Sequence, residues 1–448
     1  SPGFIDAHAH MTPTGLMLGG LDLHGVKDAN AMRRMLAAYV RRTKDRFVWG
    51  YGWEDTRWPV PPDADQIEPV ARARFAYLSR IDGHSALVSW GLLKASGAAD
   101  EQGCDIGANG RPTGVVRRDA HHAVRRYFLS RLPTAQIRAA HRRAAEAAVA
   151  AGITTVHEMG GPLHGAGERD LDLLLEDRLP VSVVCYYASD DVSIPKSRGL
   201  KQIGGDFNVD GALGSRTAAL RRPYADARPH TGFLYRDSGD LAQLFERATR
   251  AGLQAGVHCI GDAGCEAAVE GLEHAARTAG MERLRRLRHR LEHFEMASRE
   301  LIRRAARVGA SFSVQPAFDA AWGGGSGMYA TRVGRTRALA MNDFRSMVES
   351  GSIVGFGSDS PVTPFDALGS VRAAVKPASS RHALKASQAF YAATAGAAAL
   401  AREEGATGRI EPGYRADFVV WSGHPLTSKK PSIRATVSRG RVVYGSLS

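Results

Sequence analysis

Eight short apolar runs, each followed by a helix-like stretch, constrain this chain more than any other feature. The runs are "GFIDAH" (3–8), "GITTVHE" (152–158), "VSVVCYY" (181–187), "GDFNVDG" (205–211), "QAGVHCI" (254–260), "RHRLEHF" (288–294), "ASFSVQP" (310–316) and "SIVGFGSD" (352–359). Strand-length runs alternating with helices argue for βα units and a parallel sheet. Eight parallel strands can close into a barrel whose active face lies at the C-terminal strand ends. The predicted fold is therefore α/β, a TIM (β/α)8 barrel. The intervening helices carry their own punctuation. "PTAQIRAAHRRAAEAAVAAG" opens at Pro133 and stops at Gly152, the expected order of Pro and Gly.

Two regions break the alternation. Residues 1–10 hold the first strand, and 11–132 form a large insertion with strand and helix signals of its own, expected as a subdomain covering the barrel mouth. The barrel resumes over 133–405. Residues 406–448 turn to short β-rich pieces, expected as a small C-terminal sheet, part of a sandwich.

Composition narrows the function classes. Cys104, Cys185, Cys259 and Cys265 form no C-x-x-C pair, which predicts a reduced, cytoplasmic protein. No apolar run is long enough to span a bilayer, so no membrane role is expected. The net charge of +13 raises nucleic acid as a partner. Yet the arginines are scattered among apolar residues at helical spacing, as in "RRMLAAYVRRTKDR" and "ERLRRLRHR", with few aromatics. They read as solvated helix faces, and no nucleic-acid binding is expected. A homo-oligomer is compatible with everything above.

The polar residues at the strand ends carry the chemistry. His8 and His10, two apart, project to one side of a strand. His258 and His293 lie at the fifth and sixth strand ends, and Asp359 at the eighth. Singly, each reads as well as a satisfied polar group. Together, four imidazoles and a carboxylate at one mouth match a zinc-type site. Gln315 ends the seventh strand and is a candidate pocket residue. Arg216 reads equally as a substrate contact or a clamp. His84 and Trp53, in the insertion, either line the pocket or serve packing. Asp262 reads as a helix N-cap ahead of a partner for His258. Cys259, beside an inward His258, should face the helix layer.

"PGFIDAHAH", "VDGALGSRTAAL", "VHCIGD", "LEHF" and "FGSDSP" resemble the amidohydrolase superfamily, and within it the family-3 branch that includes N-substituted formamide deformylase. "GYGWED", "RIDGHSALV" and "GRIEPGYRADFVVW" extend the resemblance over nearly the whole chain. It implies a metal-bearing barrel, a small sandwich built from both chain ends, and hydrolysis of a C–N bond. It also implies that His8, His10, His258 and His293 are metal ligands, and Asp359 a ligand and proton shuttle. Two departures stand out. Where the branch commonly has a lysine able to bridge two metals once carboxylated, this chain has Asp206. The chain also opens at the first barrel strand, so either its start is truncated or its sandwich is reduced.

The expected protein is a metal-dependent hydrolase of a non-peptide amide, N-formyl or N-acyl bond in a small molecule. Asp359 would take a proton from water and deliver it to the leaving amine, with His293 catalytic beside it. The alternatives are another reaction at the same site (ring deamination, lactone hydrolysis or isomerisation) or a basic binding protein with a vestigial site. The cofactor expected is one divalent metal per chain, zinc first. A two-metal site completed by Asp206 and Glu158 is the competing view.

Overall fold

The computed structural model of the chain describes all residues except Thr56, Arg57, Arg72, Asp82, His84, Leu163, His164 and Ser448. The chain divides into two compact units. One comprises residues 1–10, 145–160 and 178–448; the other comprises 11–144 and 161–177.

The first unit contains all eight expected strands: β1 (Phe4–Ala9), β2 (Ile153–Gly160), β3 (Ser182–Tyr187), β4 (Gln202–Asn208), β5 (Gln254–Cys259), β6 (Arg290–His293), β7 (Ser311–Val314) and β8 (Val354–Phe356). Every pairing among them is parallel, β1–β2–β3 in one sheet and β4 to β8 in sequence order in a second. The strands of the two sheets meet at both ends: β3 lies against β4, and Ala9 bridges Ser360 in parallel just beyond β8. These strands are buried on both faces, which is why they read as continuous apolar runs. The helices between them follow their sequence signals. Ser238–Ala251 begins at a capping box between Asp237 and Asp240 and stops at Gly252, in the left-handed region with φ +76°. Its Leu241, Leu244, Phe245 and Ala248 form the buried stripe.

β4 departs from its expected bounds. It begins at Gln202 and ends at Asn208, three residues early, because Asp210 and Gly211 already belong to the loop. Inside it, Gly204 and Gly205 both take left-handed backbone, φ +79° and +80°, and the register with β5 slips between Gly204 and Asn208. The bulge immediately precedes Asp206 and sets where that side chain emerges.

At the C-terminal end, β9 (Phe418–Trp421), β10 (Ile433–Ser438) and β11 (Arg441–Gly445) form an antiparallel sheet. The chain's first residues join it: Pro2 bridges Phe418, and Ser1 and Val419 exchange backbone hydrogen bonds at 2.9 Å. The expected small sheet fed from both chain ends is therefore present, grouped with the strands of the first unit.

The second unit is built on a six-stranded mixed sheet, in order 21–22, 47–53, 75–80, 85–88, 112–117, 104–106. Both faces are covered. Phe47, Trp49, Tyr77 and Val116 pack on one side, and Val48, Leu78, Leu87 and Val115 on the other. The unit extends past the expected boundary at 132 and recruits residues 161–177, because Ile137, Ala140 and Leu173 belong to its core.

Gly204 and Gly252 separate backbone strain from crowding. A methyl at Gly204 would lie 2.1 Å from the Gly256 carbonyl oxygen, whereas one at Gly252 meets nothing within 4 Å. Gly252→Ala should cost about 1–2 kcal/mol, the left-handed penalty alone. Gly204→Ala should cost about 3 kcal/mol or more, with overlap added. Urea unfolding of the two variants checks this, and equal losses would contradict the bulge.

Candidate metal centre

Six buried side chains converge at the ends of five strands of the first unit: His8 on β1 and His10 just after it, Asp206 on β4, His258 on β5, His293 on β6 and Asp359 just after β8. His8 Nε2 lies 3.4 Å from Asp206 Oδ1 and 3.6 Å from Asp359 Oδ1. His10 Nε2 lies 3.2 Å from Asp206 Oδ2 and 3.0 Å from Asp359 Oδ1. His258 Nδ1 and His293 Nε2 stand 3.4 and 3.7 Å from Asp206 Oδ1. Among the described residues, three overlapping trios could each hold an ion: His8–His293–Asp359, His8–His10–Asp206 and Asp206–His258–His293.

Two of the six adopt backbone that side chains rarely accept. His293 has φ +66° and Asp359 φ +54°. The left-handed turn at the end of β6 is what brings His293 to the cluster although Glu292, its neighbour in the strand, also points inward. Such strain persists only where the surroundings over-determine it, and it gathers at functional sites.

The outer nitrogen of every imidazole is engaged by an acceptor. His8 Nδ1 donates to Glu292 Oε2 at 2.8 Å, and His10 Nδ1 to the Met159 carbonyl at 2.9 Å. His293 Nδ1 donates to Gln315 Oε1 at 2.9 Å, and His258 Nε2 to the Gly211 carbonyl at 3.3 Å. An acceptor on one ring nitrogen fixes the proton there and leaves a lone pair on the other. All four lone pairs therefore face the two carboxylates, which is the arrangement of metal-ligating histidines. The spacing agrees. Ligand atoms around a tetrahedral ion at about 2.0–2.1 Å stand about 3.3–3.5 Å apart, and the histidine-to-carboxylate distances at His8 and His10 run from 3.0 to 3.6 Å, with Asp206 meeting His8 through Oδ1 and His10 through Oδ2.

The electrostatics express the same balance. Burial works against a proton on His10, but hydrogen bonds and charge from Asp206 and Asp359 raise it to about 10. Burial likewise opposes the charge on Asp206, yet His8, His10, His258 and His293 hold it well below the usual carboxylate range. Two buried carboxylates demand positive charge between the rings, supplied by protons or by a divalent cation.

The remaining expected residues scatter. Gln315 is buried and reaches the site through His293. Arg216 is clamped: its Nε and Nη2 donate to Asp226 at 3.1 and 2.8 Å, so the guanidinium is engaged within the loop after β4. Trp53 takes the packing role. It is fully buried in the second unit's core, with its indole N–H donated to the Leu78 carbonyl at 2.7 Å. Gly52, φ +92°, interrupts the alternation of its strand and turns Trp53 onto the core face. His84 lies outside the described residues. Asp262 is not the N-cap: Gly261 occupies that position, and the Asp262 carboxylate accepts from the Arg221 N–H at 2.9 Å. Glu158 is buried on β2 but belongs to none of the three trios. Cys265, on the helix after β5, places its Sγ 3.7 Å from the Cys259 carbonyl oxygen.

Three charged groups escaped the sequence reading. Asp210 accepts from the N–H groups of Ala219, Ile260 and Gly261 at 2.8–2.9 Å, tying the loop after β4 to the loop after β5. Arg290 and Glu292, two apart on β6, are completely buried and paired. Their signal was available: charges at alternate positions of a buried strand are costly unless matched.

Elemental analysis of the purified protein should find a divalent transition metal. In the His8→Ala/His10→Ala double variant it should find far less. Equal metal in both would show that the cluster is not the site.

The sequence profile of the Amidohydrolase family matches residues 1–444. "Putative amidohydrolase YtcJ" of Bacillus subtilis (strain 168) is 27% identical over 494 residues, covering 99% of this chain and 88% of that protein. "Protein LONG AFTER FAR-RED 3" of Arabidopsis thaliana is 26% identical, covering 97% of this chain and 80% of its own length. Among solved structures, an uncharacterized metal-dependent hydrolase from Pyrococcus horikoshii OT3 superposes with a TM-score of 0.81 at 25% identity, over 96% of this chain and 86% of that one. Its counterpart from Pyrococcus furiosus gives 0.80 at 25% identity, over 95% and 87%. A profile match running from the first residue to 444, through every strand that contributes to the cluster, places the chain in the amidohydrolase family.

Proposed function

We propose that this chain is a metal-dependent hydrolase of a non-peptide C–N bond, an amide, N-formyl or N-acyl group in a small molecule. The observation that carries the reading is the set of four imidazole lone pairs turned toward Asp206 and Asp359. The two relatives from Pyrococcus are described as metal-dependent hydrolases, and YtcJ as an amidohydrolase, which supports the same chemistry. We read the eight parallel strands as one closed barrel, with the cluster at its C-terminal end.

His8, His10, Asp206 and Asp359 would hold one divalent ion, with zinc the first choice for a nitrogen and oxygen ligand set. Such an ion polarises a carbonyl and lowers the pKa of water from 15.7 to about 7. His258 and His293 face the same space and can orient the substrate carbonyl or the attacking water. Asp359 takes the proton that water loses as its oxygen joins the carbonyl carbon. It then gives that proton to the nitrogen as the C–N bond breaks, because an amide anion is too basic to leave unprotonated.

A small-molecule substrate also suits the surface. The arginines pair locally, as Arg304 does with Glu273 at 2.8 Å and Arg247 with Asp190 at 3.0 Å. No helix among the described residues is long and apolar enough to cross a membrane. We place the protein in the cytoplasm on its four free cysteines.

Two measurements follow. The Zn²⁺-loaded protein should hydrolyse a member of a panel of N-formyl, N-acyl and cyclic amides, and inactivity across the panel would count against the C–N assignment. Asp359→Asn should lower kcat by about 10²–10⁴-fold while leaving KM nearly unchanged. Near-full kcat in the folded variant would assign the proton transfer elsewhere.

A further inference from the structure

Beneath the cluster lies a buried ion pair on β6. Arg290 and Glu292 are both fully buried. Arg290 Nε donates to Glu292 Oε1 at 2.7 Å and Nη2 to Oε2 at 2.8 Å, a two-pronged clamp. The same Nη2 reaches the Ala7 carbonyl, just before His8, at 2.6 Å, and Nη1 meets His157 Nδ1 at 3.0 Å. The Tyr186 ring lies under the guanidinium, 4.5 Å from its central carbon. One arginine thus grips β1, β2 and β3 from its seat on β6. Room is reserved for the pair: a methyl at Gly256 would come within 3.0 Å of Glu292 Oε1.

A buried ion pair is weak evidence for stability, since apolar residues of equal volume serve as well or better. What apolar residues could not do is hold His8. Both Glu292 oxygens already face N–H groups of Arg290, so they act as acceptors, and the 2.8 Å contact with His8 must be donated from Nδ1. That contact fixes the lone pair of His8 on Nε2, and the arginine fixes the carboxylate that does so.

We propose that Glu292, clamped by Arg290, is a positioning residue that locks His8 in the ring orientation and tautomer of a metal ligand. The proposal rests on the metal reading above. An acceptor behind a ligating histidine is typically worth about 10–100-fold in metal affinity.

The test is Zn²⁺ titration of the metal-free full chain by chelator competition, alongside its thermal midpoint. Glu292→Asp keeps the charge opposite Arg290 but withdraws the carboxylate by one methylene from His8. It should bind Zn²⁺ about 10–100-fold more weakly with a metal-free midpoint close to wild type. Arg290→Met/Glu292→Leu removes both charges together, leaving neither an unmatched ion nor an acceptor for His8. It should show the same loss of affinity whatever its midpoint. Wild-type affinity in either folded variant would overturn the proposal, and failure of both to fold would make the pair a folding element instead. If the wild-type chain itself binds no Zn²⁺, the metal reading fails, a result distinct from both.

Discussion

Two carboxylates buried among four imidazoles are the constraint on which this structure turns. Asp206 and Asp359 are nearly inaccessible, and each sits within 3.0–3.7 Å of imidazole nitrogens. Charges so placed must be compensated inside the cluster. The outer hydrogen bonds of the four rings decide how: each ring presents a lone pair inward, so the compensation can be a cation shared among them. A packing function would need none of these orientations.

The scaffold gives up local ease to build this point. His293 and Asp359 hold left-handed backbone without being glycine, and two successive glycines bulge β4 just ahead of Asp206. Asp210 staples the loops after β4 and β5 through three backbone N–H groups. The Arg290–Glu292 pair supports the cluster from below, where hydrophobic residues would have filled the same volume. At the cluster itself, His293 and Asp359 hold backbone that persists only where the surroundings over-determine it.

Much of this was legible in the residues. Apolar periodicity located all eight parallel strands, and spacing put His8 and His10 together, because a period of two leaves little freedom at a strand end. What escaped depends on bulges and long-range pairing. Gly52 reverses the alternation before Trp53, and Trp53, read as either pocket or packing, lies in the second unit's core. The run "ERLRRLRHR", read as a solvated helix face, overlaps the strand run "RHRLEHF"; the helix ends at Leu287 and Arg290 is buried in β6. Its partner Glu292 is two residues on, but the third member of that chain, His8, is 284 positions away from it. Arg216 offered two readings of equal weight, and its guanidinium lies paired with the nearby Asp226.

Asp206 sharpens what the centre can hold. Its Oδ2 faces His10 while its Oδ1 faces His8, His258 and His293, so this short side chain stands between all four rings. We propose that a single cation is held by His8, His10, Asp206 and Asp359, since a second would have to share the same small carboxylate. Anomalous diffraction at the zinc edge from crystals of the Zn²⁺-loaded protein tests this most directly. The account predicts one strong peak within ligand distance, about 2.0–2.2 Å, of His8, His10, Asp206 and Asp359. No peak among these residues, or two peaks about 3.5–4 Å apart as in two-metal sites, would contradict it.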